Sequence, residues 1–348
     1  MHANDNVTLT IIMPVFNHRD DVATMIDSIL ANDYQDWELL AVDDGSDGDT
    51  LSLLDAYSAG DRRIVVIRRD IQPKGAQTCR NIGLERARGK YCVVFDSDDY
   101  IAPYCLRQRV RAMDIHEDLD FMVFPSGVFV DGAFQTQAHP YDFGYRLGQS
   151  DVESFARRRL PFIVWNNIYR TQSLRSHNLR WDESLLSLQD ADFNVSAIAA
   201  GLKYDYARAL PDYGYRIITT SSISKKINTE RHVQSHRHAN DRMWGMVRHM
   251  AGRKYDSALY DGTMAIYNAG MSGVGINRNL AAGLADSVAK YSGWYGWMLR
   301  MQMSATIILQ KVLPLRVARQ LPVAVYLLRN AWWRRHKVAM LQKYTREQ

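Results

Sequence analysis

The chain has 348 residues, 47% hydrophobic and 23% charged, with a formal charge of +5 and a pI near 9.0. That composition excludes a disordered, collagenous or disulfide-scaffold protein, and the length suits one large α/β domain with a smaller appendage. No run reaches the ~18 apolar residues of a membrane-spanning helix, and the three cysteines, Cys79, Cys92 and Cys105, lack metal or redox spacing and read as reduced, partly buried thiols.

Residues 1–6 are polar without a signal-type hydrophobic core, so a cytoplasmic protein is expected. Val7 to Val15 is β-rich and reads as the first strand, followed by a loop from Phe16 and a helix from about Val22 to Ala31 capped by Asp20 or Asp21. Trp37 to Val42 is a second strand that ends in Asp43-Asp44-Gly45-Ser46-Asp47-Gly48-Asp49-Thr50. A helix over 51–57, a strand over 64–67 and a helix from about Ala76 to Ala87, terminated by Gly89, come next. Tyr91 to Phe95 is an uninterrupted apolar run, the pattern of a strand buried on both faces of a parallel sheet. It leads into Asp96-Ser97-Asp98-Asp99. Strands alternating with helices predict a mostly parallel sheet with helices on both faces.

Three carboxylates in four residues repel one another unless a cation lies among them. Mg²⁺ or Mn²⁺ would supply that charge, since both take oxygen ligands and keep open positions for water and phosphates. In open α/β sheets ligands bind beyond the carboxyl ends of strands, where both acidic runs fall. The alternative is a solvated acidic turn capping a helix near Pro103. There is neither GxxxxGK[ST] nor a GxGxxG after the first strand, so neither a P-loop nor a dinucleotide fold is indicated.

The ordered set of motifs from about Val7 to Ser224 resembles the family 2 glycosyltransferases of bacterial polysaccharide type, an inverting class with a GT-A fold. Thr10-Ile11-Ile12-Met13-Pro14-Val15-Phe16-Asn17 is similar to that family's opening strand, and the 43–50 run to its nucleotide-binding turn. Arg80-Asn81-Ile82-Gly83 resembles the helix that precedes the metal strand, and Asp96-Ser97-Asp98-Asp99 the extended DxD motif. The resemblance implies a nucleotide-binding set of Pro14, Phe16, Asn17, Asp44, Arg80, Asp96 and Asp98, with Asp44 on a uracil and Asp98 on the ribose. It implies a metal site at Asp99 and Asp98 for Mg²⁺ or Mn²⁺. Val164 to Arg170 resembles the acceptor-side strand, with Asn167 where a Lys is common. Leu188-Gln189-Asp190 matches a segment that usually reads Glu-Asp, so the first acid is replaced and Asp190 is left as the expected general base, at the N-terminus of a helix over about 191–200. Asp190 could also be no more than an N-cap. Asp192 is expected to point elsewhere. Asp212 to Arg216, with Ser221 to Ser224, resembles the closing strand and the loop over the diphosphate.

Arg157-Arg158-Arg159 reads as a helix end or surface patch, and His232, His236 and His238 as a solvated basic loop, from which one histidine could still hold a leaving diphosphate. Beyond about Asn228 the chain reads as helical over 241–250, 281–291, 294–312 and 323–341. From Lys290 onward eleven Lys or Arg stand against one acid, Glu347. Aromatics among cations at 326–343 suit either an anionic bilayer surface or a helical appendage with ordinary basic faces.

The expectation is a GT-A-like mixed α/β catalytic domain over 1–227 and a helical region over 228–348 that could associate with a membrane. The expected enzyme is a metal-dependent hexosyl- or N-acetylhexosaminyl-type transferase, moving a sugar from a nucleotide-sugar to a saccharide or lipid-linked acceptor in cell-surface polysaccharide or glycolipid synthesis, at the inner face of the cell membrane. No nucleic-acid module is recognisable. A nucleotidyltransferase, or a non-catalytic membrane scaffold that kept the fold, would be the other readings.

Overall fold

The computed structural model describes residues 7–217, 229–273, 278–309, 311–314, 317–318 and 323–347. The chain forms two compact units interleaved in sequence. The first comprises Met1–Arg146, Phe162–Glu183 and Ala200–Ile217; the second comprises Leu147–Pro161, Ser184–Ala199 and Ile218–Gln348. The expected catalytic segment 1–227 therefore contributes to both.

In chain order the first unit contains β1 (Leu9–Val15), α1 (Arg19–Leu30), β2 (Trp37–Asp43), α2 (Gly48–Gly60), β3 (Ile64–Arg68), α3 (Ala76–Arg86), β4 (Tyr91–Val94), β5 (Tyr100–Ile101), α4 (Cys105–Ile115), β6 (Phe121–Val123), β7 (Ser126–Val130) and β8 (Ala133–Gln135). After α5 (Asp151–Ala156) of the second unit come β9 (Asn167–Arg170) and α6 (Thr171–Ser176) of the first, then α7 (Gln189–Ala199) of the second. The strands β10 (Tyr204–Tyr206) and β11 (Tyr213–Arg216) complete the first unit. The second adds α8 (Glu230–Ala251), α9 (Asp256–Gly273), α10 (Arg278–Tyr291), α11 (Gly293–Leu309) and α12 (Ala324–Glu347).

A seven-stranded sheet runs β10-β6-β9-β4-β1-β2-β3. The central strands β4, β1 and β2 are parallel, whereas β9 is antiparallel to both its neighbours. Leu9, Ile11, Ile12, Met13, Val93 and Val94 have no solvent exposure, as apolar runs without alternation require. The sheet is thus the mixed, mostly parallel one expected. Of a second sheet, β5-β11-β7-β8, only β11 corresponds to an expected strand, the closing one at 212–216; β5 and β8, of two and three residues, are too short to show a pattern.

Two local expectations are corrected. The helix α1 begins at Arg19, after His18 in the left-handed region (φ 60), so neither Asp20 nor Asp21 caps it; both lie in its first turn. The helix α3 stops at Arg86 without using Gly89. Gly89 serves close approach instead: a Cβ there would lie 2.5 Å from the Thr10 nitrogen and from the Tyr91 carbonyl oxygen.

In the second unit, Trp244 of α8 is fully buried and donates its indole N–H to Thr263 of α9 at 3.1 Å. Against α10, Gly296 of α11 approaches Ala289 so closely that a Cβ would meet the alanine methyl at 2.7 Å. Tyr260 of α9 donates to Gln302 of α11 at 2.7 Å. His232, His236 and His238 lie on α8 rather than in a loop, and His236 is buried. The three arginines after α5 are not a surface patch. Arg157 pairs with Glu153 and Asp261, and Arg159 lies over the Trp333 ring at 4.7 Å. The Arg158 Nε and Nη2 atoms are buried without a hydrogen-bond partner among the described residues.

Candidate active site

Strand β1 runs between β2 and β4, with Val15 opposite Asp43 and Ile12 opposite Val94. Because the three strands are parallel, the loops that follow them emerge at one end of the sheet, and both acidic runs stand there. The Asp44 N–H donates to the Val15 carbonyl at 2.8 Å, and the Phe95 N–H to the Ile12 carbonyl at 3.0 Å.

The acidic run after β2 divides into separate tasks. Asp43 accepts from the Gly45 N–H at 3.0 Å and the Ser46 N–H at 3.1 Å, which sets the turn. Asp47 caps α2 by accepting from the Thr50 N–H at 2.9 Å, one turn earlier than a helix starting at Leu51. Asp44, 5% exposed, is left facing inward. Its Oδ1 accepts from Arg69 Nε at 2.5 Å and from the Gly75 N–H at 3.2 Å. Asn17, also in the left-handed region (φ 57), ties the first loop to the second. Its N–H donates to Ser46 Oγ and its side-chain oxygen accepts from the Asp47 N–H, both at 2.9 Å. Pro14 is part of β1, and the exposed Phe16 ring carries the Lys74 ammonium at 3.6 Å from its centroid.

Each residue of the motif on α3 has a distinct contact. Arg80 donates to Asp96 at 2.8 Å. Asn81 accepts from the Trp181 N–H at 2.9 Å and donates to the Trp181 carbonyl and to Glu183. A Cβ on Gly83 would meet the Ile12 side chain at 2.4 Å, so only glycine lets α3 lie this close to β1.

After β4 the three acids differ in surroundings. The Asp96 carboxylate is partly exposed. The Asp98 carboxyl is pushed up to about 6 by burial, reinforced by Asp96 and Asp21. Asp99, 2% exposed, is driven well above the usual carboxylate range by burial and then by Asp98 and Asp96. It accepts from the Tyr213 hydroxyl at 2.7 Å and the Arg216 N–H at 2.7 Å. Tyr213 also accepts from the Asp96 N–H at 3.1 Å and stacks on Trp165, centroids 4.4 Å apart. The Arg216 side chain donates to the Asp98 carbonyl and lies 3.4 Å from Asp21. Beneath them Arg109 and Asp212, both fully buried, form a two-point ion pair at 2.9 and 2.6 Å, and Arg109 also donates to the Trp165 carbonyl.

These donors fit a hard divalent cation held through one or two carboxylates and completed by phosphates. Two acids, Asp98 and Asp99, whose ionisation is disfavoured by burial and by neighbouring carboxylates are what such a charge relieves, and the bonded Asp99 oxygens each keep a second lone pair. No group of three or more ligands forms a ready cage among the described residues.

Asp190 belongs to the second unit, in the first turn of α7. Leu188 just before it has φ 64, an uncommon conformation for a non-glycine residue. Asp192 is not an idle neighbour: it is buried and accepts from Arg242 at 2.7 and 3.0 Å. Asn167, at the expected acceptor-side position, donates to the Tyr169 hydroxyl at 2.6 Å. Ser221 to Ser224 lie outside the described residues.

Sequence reading missed Arg69, Tyr213 as the anchor of Asp99, and the Arg109–Asp212 pair. Arg69 follows β3 directly, and a cation at the end of a strand beside an acidic loop was the available signal. Nothing local marks Arg109 on α4 as paired with a residue about a hundred positions later.

Residues 10–181 match the family model Glycosyl transferase family 2. The succinoglycan biosynthesis protein ExoO of Rhizobium meliloti is 28% identical over 205 residues, 56% of this chain and 56% of its own length. The poly(ribitol-phosphate) beta-N-acetylglucosaminyltransferase TarS of Staphylococcus aureus is 24% identical over 190 residues, 54% of this chain and 32% of its own. The aligned part of this chain spans between 55% and 63% of the length of three such bacterial relatives, ExoO among them. In structure, the chain is similar to TarS 1-349 in complex with UDP-GlcNAc, with a TM-score of 0.63 at 17% identity, covering 98% of this chain and 92% of that one.

Proposed function

Because this chain carries a family 2 glycosyltransferase domain, we propose that it moves a sugar from a nucleotide-sugar to an acceptor hydroxyl with inversion at the anomeric carbon. The donor is a UDP-sugar of hexosyl or N-acetylhexosaminyl type. The observation that carries this reading is the pair of acid-bearing loops at the carboxyl ends of β2 and β4, either side of β1.

Asp44, held by Arg69 and the Gly75 N–H, faces the nucleobase, with Pro14, Phe16 and Asn17 shaping the same edge. Asp98 takes the ribose, and Arg80 and Asp96 border the diphosphate side. When bound, Mg²⁺ or Mn²⁺ at Asp98 and Asp99 would neutralise charge on the diphosphate.

Asp190 is the general base. Its place in the first turn of α7 favours the carboxylate form, as a base requires. It takes the acceptor hydroxyl proton as that oxygen bonds to the anomeric carbon. The carbon–oxygen bond to the diphosphate breaks, and its electron pair leaves with the nucleoside diphosphate. No enzyme nucleophile is needed.

The likeness to a succinoglycan biosynthesis protein and to a poly(ribitol-phosphate) transferase supports an acceptor in cell-surface polysaccharide or glycolipid synthesis. That acceptor is a saccharide or a lipid-linked one met at the cytoplasmic face of the membrane. The proposed association is peripheral; among the described residues no helix is long and apolar enough to cross a membrane. A panel of nucleotide-sugars tests the reading by binding and by slow hydrolysis: UDP-sugars should bind and be hydrolysed. Release of pyrophosphate from nucleoside triphosphates, with no nucleotide-sugar bound, would replace it with nucleotidyl transfer.

A further inference from the structure

By sequence the aromatic–basic tail suits either an anionic bilayer or a packed helical appendage; a second surface stands out on α11. Its inward face is fully committed within the second unit. Gly296 abuts Ala289, Leu299 is 1% exposed, and Thr306 is buried against the Tyr267 hydroxyl. Trp294, Trp297, Met301 and Ile308 point the other way and are 63%, 50%, 53% and 63% exposed. At ~100° per residue these four fall within about 60° of one another, a single narrow stripe. The two indoles stack at 5.1 Å in the first turns of the helix.

Four large apolar side chains aligned in water are costly, and nothing among the described residues of the second unit covers them. The surrounding charge decides what does. Arg300 lies beside the stripe with 58% of its side chain exposed, sharing the exposed Asp286, and Lys311 stands exposed beyond the helix end. From Lys290 onward the only acid is Glu347. A second copy of this chain would bring the same cations against these, and four side chains are few beside the ~20–30 residues a side of a stable interface. An anionic lipid surface meets both features. Indole rings settle at headgroup depth, Met and Ile reach the acyl boundary, and the cations meet the phosphates.

We propose that the Trp294–Trp297–Met301–Ile308 face of α11 is a docking surface for an anionic bilayer. It deepens the membrane-borne acceptor reading and rests on it for its purpose, but its test needs neither donor nor acceptor.

The full chain is sedimented with phosphatidylcholine vesicles with and without phosphatidylglycerol, in low and high salt. Binding should need the anionic lipid and weaken with salt. Trp294→Ala with Trp297→Ala should lower partitioning at least about tenfold without shifting the melting temperature, since both rings are exposed. The paired Trp→Phe variant should restore part of the binding. A Trp332→Ala variant reports on α12, where that ring is 57% exposed. Undiminished vesicle binding by the Trp294/Trp297 double variant overturns the proposal, whether or not Trp332→Ala lowers it. So does a lipid-free dimer that the double variant abolishes while vesicles bind neither form. Donor binding, measured separately, reports on the transferase reading alone.

Discussion

The Tyr213 hydroxyl stands 2.7 Å from Asp99 and 3.1 Å from the Asp96 N–H, so one phenol on β11 holds both ends of the acidic loop after β4. Tyr213→Phe keeps the ring stacked on Trp165 and removes only that link. Leaving a buried carboxyl short of one donor costs about 1–3 kcal/mol. The expected result is a lower melting temperature together with weaker nucleotide binding. A variant that melts normally and binds nucleotide normally would mean that the loop keeps its shape without the phenol.

Asp212→Asn should be among the most destabilising single changes in the first unit. It strands the fully buried Arg109 guanidinium, and breaking such a pair costs about 3–5 kcal/mol. Replacing both partners by apolar residues should recover much of that loss, because the desolvation penalty disappears with the charges. Chemical denaturation of the two single variants and the double one measures the coupling.

Asp190→Asn should lower transfer by about 10²–10⁴-fold while donor affinity survives. Asp192→Asn makes a poor silent control: it weakens a two-point pair with Arg242, so its effect should show first as reduced stability. Gln189→Glu should be tolerated. Rates normalised to folded protein separate the cases, and normal transfer by Asp190→Asn with a dead but folded Asp192→Asn would move the base to Asp192.

The acids after β4 form no complete metal cage by themselves among the described residues. Chelator should therefore abolish turnover while leaving the melting temperature of the nucleotide-free protein unchanged. Asp99→Asn should do the same to turnover. Full activity in chelator would remove the metal from the mechanism.

The buried His236 ring, hydrogen-bonded with Ser187, is held below its ordinary pKa chiefly by desolvation. The unfolded chain binds that proton near pH 6.5 and the folded chain only at lower pH, so stability should fall as pH drops below about 6.5. His236→Gln should flatten that limb of the stability–pH curve, which urea midpoints between pH 5 and 8 would show. An unchanged slope would place the pH dependence elsewhere.

The sequence made the central strands legible because β1, β2 and β4 are buried on both faces: β4 is an unbroken apolar run, and β1 and β2 are apolar apart from Thr10, Glu38 and the terminal Asp43. It also made legible that acids crowd their ends. It could not divide the labour among those acids: Asp43, Asp44 and Asp47 look alike in a row, and only the turn geometry gives one to the turn, one to the interior and one to a helix cap. Asp99 looked like a freely presented ligand because its partners, Tyr213 and Arg216, come more than a hundred residues later. Gly89 looked like a helix terminator because helices commonly end in glycine, whereas its contacts are with β1 and β4.

The position of β1 between β2 and β4 also bears on how the chain assembles. The β1–β2 pairing can form early, since a short connection joins them. Pairing Leu9 with Tyr91 must close a loop of about eighty residues, and β9 can dock on β4 only after a further stretch has emerged. During synthesis the two acid-bearing loops are therefore apart until that closure, and a nascent chain halted before β4 lacks the Asp96–Asp99 half of the proposed nucleotide site. Donor nucleotide should accordingly speed neither the first strand pairing nor the collapse of α1 onto it. Its influence should appear only as slower unfolding of the finished molecule.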